Sequence, residues 1–224
     1  AVAVGAADYR EALAWTAEVY RCAGRLLERA GRLQGVADEG GFWPAFDDNA
    51  QAIEMLVRAI EAAGLRPGED VAVSLDVAAS NFGRGGRYPV ARAGGAARGG
   101  GPDGAGGLAA FTAAAGPRVQ VVLDDAVVTR AERIRAHAAR GAGNAALIKP
   151  NQAGTLTESH AALGAARALG WDAIVSARSG ETEDTTIVHL AVGWGVRQLK
   201  VGSFARSERM AKWNEGLRVG ESLA

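Results

Sequence analysis

Lys149 and Lys200 each close an apolar run, ALIK and RQLK. An ammonium at the end of a buried strand is costly to desolvate unless something pairs with it. Those two positions therefore suit a base and a clamp for a carboxylate. The plainer alternative is a lysine whose stem runs out along the rim. Asp76 and Asp124 close two further runs, VAVSLD and VQVVLD. Two hard carboxylates at strand ends suit Mg²⁺, which takes oxygen ligands and keeps several waters; capping or solvation of a strand end is the alternative. Asp125 follows Asp124 and points the other way if the strand continues. Arg178, Ser179 and Gly180 precede a predicted helix. A guanidinium, a hydroxyl and free amides at a helix start suit a phosphate. The same residues also read as a capping box of Ser179 with the acids at 181–183. Asp38 and Glu39 lie in a glycine-rich loop, ADEGGF, whose backbone can bring them close to a ligand.

Other chemistries find little material. His137, His160 and His189 all fall inside predicted helices and read as core or surface residues. Cys22 is the one cysteine, so no internal disulfide can form and a reducing, cytoplasmic setting is expected. No Cys/His metal pattern, serine nucleophile elbow or phosphate-binding P-loop is present.

The 224 residues are 48% apolar and 22% charged, as in an ordinary globular domain. Lys plus Arg and Asp plus Glu stand at 25 each. That balance gives no reason to expect a nucleic acid or an anionic membrane as partner. No run of 18 apolar residues marks a transmembrane helix. The opening AVAVGAADYREAL has no basic region and no long apolar stretch, so it does not read as a secretory signal.

The elements that must position these side chains follow from periodicity. Helices are predicted over 8–33, 49–64, 130–141, 155–169, 181–195 and 206–218. Asp48 or Asn49 caps the second of these and Gly64 ends it. Strands are predicted over 71–80, 119–125, 145–151, 172–179 and 197–202, with loops between. Residues 94–107, GGAARGGGPDGAGG, hold eight glycines. That density opposes helix and packed strand alike and predicts a flexible bridge. Strands alternating with helices imply an α/β fold with a parallel sheet. In a β/α barrel, the carboxyl ends of the strands meet on the face that carries the active site.

Seven segments carry a resemblance. EALAWTAEVY, ADEGGFWP, SLDVAASNF, DDAVVT, IKPNQAGTLTES, RSGETEDT and RSERMAKWN are similar, in collinear order, to segments of the enolase C-terminal catalytic barrel. The resemblance covers about 8–90 and 108–224. It implies a TIM-type β/α barrel over 1–224, without the amino-terminal domain of enolases, and a homodimer. It also implies Mg²⁺-dependent interconversion of 2-phosphoglycerate and phosphoenolpyruvate. Carried over residue by residue, Lys149 is the base and Glu39 the acid that helps hydroxide leave. Asp76 and Asp124 are metal ligands, Arg178 and Ser179 hold the phosphate, and Lys200 contacts the substrate carboxylate.

The chain also departs from the enolase pattern. Ala177 stands where enolases have a histidine beside the Arg-Ser pair. The strand ending Ile-Glu-Asp-Pro, whose Glu completes the metal triad, is replaced by the glycine-rich stretch, so the barrel is expected to lack one βα unit. These departures keep three readings open: an enolase-like lyase, a specialised relative such as a carboxyphosphonoenolpyruvate synthase acting on a phosphonate analogue, and a non-catalytic relative that binds a ligand or a protein.

Overall fold

The computed structural model describes residues 1–77, 87–89, 96–98 and 105–223. The chain forms two compact units, each built from separate stretches. One comprises Ala1–Val77, Arg178–Thr185 and Val201–Ala224; the other comprises Ala78–Ala177 and Thr186–Lys200.

The first unit is organised by capped helices. Asp8 caps α1 (Tyr9–Arg29) by accepting from the Glu11 amide, and Glu11 accepts in return from Ala7 N at 2.7 Å. This reciprocal arrangement satisfies amides that a helix start leaves without partners. Asp48 caps α2 (Asn49–Ala62) in the same way through Gln51 N. Val19, Cys22, Ala59, Ile60 and Val71 form the core between the two helices, bordered by Trp15, Leu26 and Leu56. Burying each large apolar side chain there contributes roughly 1.5–3 kcal/mol. Strand β1 (Val2–Ala3) pairs antiparallel with β4 (Val71–Ala72), and β2 (Leu33–Val36) pairs with β3 (Phe42–Pro44). The closing helix, α8 (Ser207–Leu223), meets α1 where Gly216 faces the Tyr9 ring.

The second unit holds a parallel sheet. Strands β7 (Val122–Leu123), β8 (Ala145–Ile148), β9 (Asp172–Ser176) and β10 (Gln198–Lys200) lie in the order β10-β9-β8-β7. All four residues of β8 are buried. Ala162, Ala165 and Ala166 of α6 (Leu156–Ala168) share one core with Ala146, Ile148, Leu123, Val127 and Ile134. Small residues on both faces let helix and sheet backbones approach closely. Ile134 comes from α4 (Ala131–Ala138). Helices α3 (Ala105–Ala115), α5 (Pro150–Ala153) and α7 (Thr186–Gly193) complete the unit, and β5 (Arg87–Pro89) pairs antiparallel with β6 (Ala96–Arg98).

Several expectations change. The strand expected over 71–80 is regular only at Val71–Ala72, where β1 supplies a partner; 73–77 have no regular structure and 78–80 lie outside the described residues. Strands expected to run to 125, 151 and 179 stop at 123, 148 and 176. The helix expected from 181 begins at Thr186. Most of 94–107 lies outside the described residues. Within it, Ala96–Arg98 pair as a strand and Ala105 opens α3, so those two pieces depart from the expected bridge. The α/β class and the parallel sheet stand as expected.

Candidate active site

Asp124 and Lys149 follow β7 and β8, neighbouring parallel strands, directly at their carboxyl ends. Lys149 is 8% exposed, and its Nζ lies 2.6 Å from Asp124 Oδ2. The lysine is costly to desolvate in so enclosed a place, and the short, charge-assisted contact to the partly exposed Asp124 carboxylate offsets that cost. The loop between β7 and α4 secures the backbone beneath it. Thr129 is fully buried; its hydroxyl accepts from Lys149 N and donates to Gln152 Oε1, both at 2.9 Å. To reach that place the loop takes Val128 to φ 42° and Thr129 to φ 55°. Positive φ is rare for β-branched residues and is kept only where the surroundings enforce it.

Lys200 ends β10, pairs in register with Ser176, and accepts from Ala177 N through its carbonyl at 2.8 Å. Its side chain is half-buried and engaged. Ala177 itself is buried at 7% exposure and places a methyl at the end of β9.

In the first unit, Arg178 and Ser179 do not sit at a helix start. Glu181 Oε1 accepts from Arg178 N at 2.9 Å, and Glu181 Oε2 pairs with Lys212 Nζ at 2.9 Å. Lys212 also takes the Thr182 carbonyl at 2.7 Å. These tertiary contacts hold 178–182 as a loop and delay the helix to Thr186, against the expected site on a helix N-terminus. The loop is anchored to Arg209, whose guanidinium reaches the carbonyls of Arg178 and Ser179 at 2.7 Å each. Glu39 is half-buried, and its carbonyl accepts from Ser203 N at 2.7 Å. Asp76 is exposed and lies beyond β4 in irregular chain.

Among the described residues no group of three His, Cys, Asp or Glu converges on a metal position. Asp124 nevertheless has one oxygen, Oδ1, buried with no hydrogen-bond partner. Mg²⁺ is commonly held by one or two carboxylates together with waters and substrate oxygens. One open carboxylate oxygen fits that demand, and Asp124 is the residue that offers it.

The histidines stay away from this chemistry. His137 is buried in α4 with Nδ1 donating to the Arg133 carbonyl at 3.0 Å. His160 is exposed and rests against Trp194, and His189 is exposed on α7. Sequence reasoning missed Thr129, Gln152, Arg209 and Lys212. Thr129 carries no signal of its own inside DDAVVT. Arg209 and Lys212, three apart in a helix, share a face, and that spacing is the available clue.

One comparison with known proteins bears on this geometry. The family model described as "Enolase, C-terminal TIM barrel domain" matches residues 1–97 and 102–224.

Proposed function

The chain belongs to the family of enolase C-terminal TIM-barrel domains, and from that premise we propose that it is an enolase-like carbon–oxygen lyase. The substrate in this reading is 2-phosphoglycerate, with phosphoenolpyruvate as product, or a close phosphonate analogue. The observation that carries it is the Lys149–Asp124 pair, 2.6 Å apart at the carboxyl ends of adjacent parallel strands. Barrel enzymes place their chemistry at those ends.

In the proposed reaction, Lys149 Nζ takes the proton α to the carboxylate. The freed electron pair forms the carbon–carbon double bond as the carbon–oxygen bond breaks. Hydroxide leaves with a proton from Glu39, as water. Arg178 and Ser179 hold the phosphate, where a guanidinium and a hydroxyl match its oxygens. Lys200 faces the carboxylate as charge builds on it. Asp124 through Oδ1, together with Asp76, would hold Mg²⁺. When bound, the ion supplies positive charge beside the substrate carboxylate. A homodimer in the cytoplasm belongs to the same reading; no described helix is long and apolar enough to cross a membrane.

The test is phosphoenolpyruvate formation from 2-phosphoglycerate, followed by absorbance with and without Mg²⁺, for the wild type beside Lys149→Ala. The expected result is Mg²⁺-dependent turnover that the variant loses. A folded wild-type protein without turnover would sink the reading.

Ala177 favours a second reading. Its buried methyl puts no titratable group where the resemblance expects a histidine, which suits altered chemistry of the carboxyphosphonoenolpyruvate synthase kind. Tighter binding of a phosphonate than of 2-phosphoglycerate, without dehydration, would support it.

A further inference from the structure

Arg209 is fully buried on α8, yet among the described residues no carboxylate hydrogen-bonds to it. Glu208 Oε1 lies 3.6 Å from Nε, beyond hydrogen-bond reach. Its other nitrogens go to main-chain oxygens instead. Nη1 donates to the carbonyls of Arg178 and Val201, both at 2.7 Å. Nη2 donates to the carbonyls of Ser179 at 2.7 Å and Asp38 at 3.3 Å. One guanidinium thus ties three separate chain segments. A buried cation is expensive to desolvate, and an apolar side chain of similar volume would avoid that cost only by leaving four main-chain carbonyls without a donor. What only arginine supplies is a rigid fork of donors that fixes several acceptors at once.

The segments it joins have little secondary structure of their own. The loop 178–182 hangs on Arg209 and Lys212. The loop 37–41 docks through Ser203 N to the Glu39 carbonyl, and through Arg206, which donates to the carbonyls of Ala37 at 2.9 Å and Val36 at 3.2 Å. The approach is close enough that a Cβ on Gly202 (φ 128°) would sit 2.5 Å from Glu39 O and 2.8 Å from Arg209 Cδ. A Cβ on Gly40 (φ 78°) would collide with Ala205 O.

We infer that Arg209 is a positioning residue, setting the register between the Arg178–Thr182 loop and the Asp38–Glu39 loop so that one guanidinium fixes both the phosphate-holding backbone and the acid. The claim rests on the roles given above to Arg178, Ser179 and Glu39.

The test compares wild type, Arg209→Lys and Arg209→Gln as full chains. Lysine keeps the charge but radiates its donors from one point. Glutamine keeps two donors on a shorter, neutral stem. Amide hydrogen exchange reads the clamp directly at Arg178 and Ser203. In the wild type both amides should be protected. In either variant both should exchange about tenfold faster or more, while α2 amides hold their rates. Kinetics with 2-phosphoglycerate should then show KM raised by about tenfold together with a fall in kcat, since ligand and acid are both displaced. A plain loss of stability would lower the melting temperature without that pattern. Unprotected Arg178 and Ser203 amides in the wild type, or unchanged exchange in a folded variant, would overturn the inference. Faster exchange with unchanged KM and kcat would overturn its link to the ligand. If the wild type neither binds nor turns over the substrate, the functional reading fails, and the exchange comparison alone decides whether Arg209 sets the two loops.

Discussion

Thr129 Oγ1 accepts a hydrogen bond from Lys149 N at 2.9 Å, so the backbone of the proposed base is held by a hydroxyl from the neighbouring strand's loop. Removing that hydroxyl without changing shape is the direct probe. Thr129→Val should strand a buried amide and free Gln152 Oε1, costing about 1–3 kcal/mol. Thr129→Ser should retain most of the stability. Urea melts of the three proteins check this ordering, and equal stability of the valine variant and wild type would refute it.

Lys149→Met should do two separable things. It should abolish turnover, and it should leave Asp124 with both oxygens unpaired. Asp124 is 31% exposed at its side chain, so the stability loss should be about 1–3 kcal/mol, below the cost of breaking a fully enclosed pair. The double variant with Asp124→Asn should recover part of that loss, because the stranded charge is gone. A thermodynamic cycle over the two single variants and the double variant measures the coupling.

Tyr9 predicts a high-pH effect. Burial pushes its phenol from the ordinary 10.0 up to about 12, and its hydroxyl donates to the Trp213 carbonyl at 3.0 Å. The folded state therefore holds this proton more tightly than the unfolded chain does. The resulting stability is complete below about pH 10 and is lost as pH rises toward 12. Tyr9→Phe should flatten that part of the stability–pH curve. An unchanged slope in the variant would show that Tyr9 is not its source.

At acid pH the relevant group is Asp70. Hydrogen bonds from the Arg66 guanidinium and the Arg66 amide hold its carboxyl below the usual 3.8. A depressed carboxylate contributes stability that is present above the unfolded value and lost as pH falls through the folded one. Titration of the Asp70 carboxyl carbon by NMR should give a midpoint under 3.8, and Arg66→Ala should return it toward that value.

Gly216 should refuse a side chain. A Cβ there would fall 2.5 Å from the Tyr9 ring and its hydroxyl oxygen. Gly216→Ala gains helix propensity but forces α8 off α1, for a net loss of about 1–3 kcal/mol. Thermal melts check the sign.

How far the sequence could be read depended on where each element found its stabilising partners. The parallel strands at 145–148 and 172–176 were legible because their apolar runs are local, fully buried in the first and buried at Val175 and Ser176 in the second. The cap at Asp48 was legible for the same reason, since capping is chemistry within four residues. The strand expected at 71–80 is not regular over 73–77 because β pairing needs a partner, and alternation alone does not supply one. The helix expected at 181 failed because Glu181 and Thr182 are claimed by Lys212, thirty residues on. Lys149 and Asp124 could be marked as strand-end charges, but not as a bonded pair. Arg209 was invisible for a deeper reason. Its partners are main-chain oxygens, and a carbonyl looks the same at every position of a sequence.

The alanines between β8 and α6 have a consequence for how the site keeps time. Alanine has no χ torsions, so Ala145, Ala146, Ala162, Ala165 and Ala166 contribute no rotamer exchange to the layer behind Lys149. Motion there is left to the branched side chains of the same core, Leu123, Val127, Ile134 and Ile148, and to the slower sliding of the backbones. The platform under Lys149 should therefore be quieter on the nanosecond scale than a core built of long side chains.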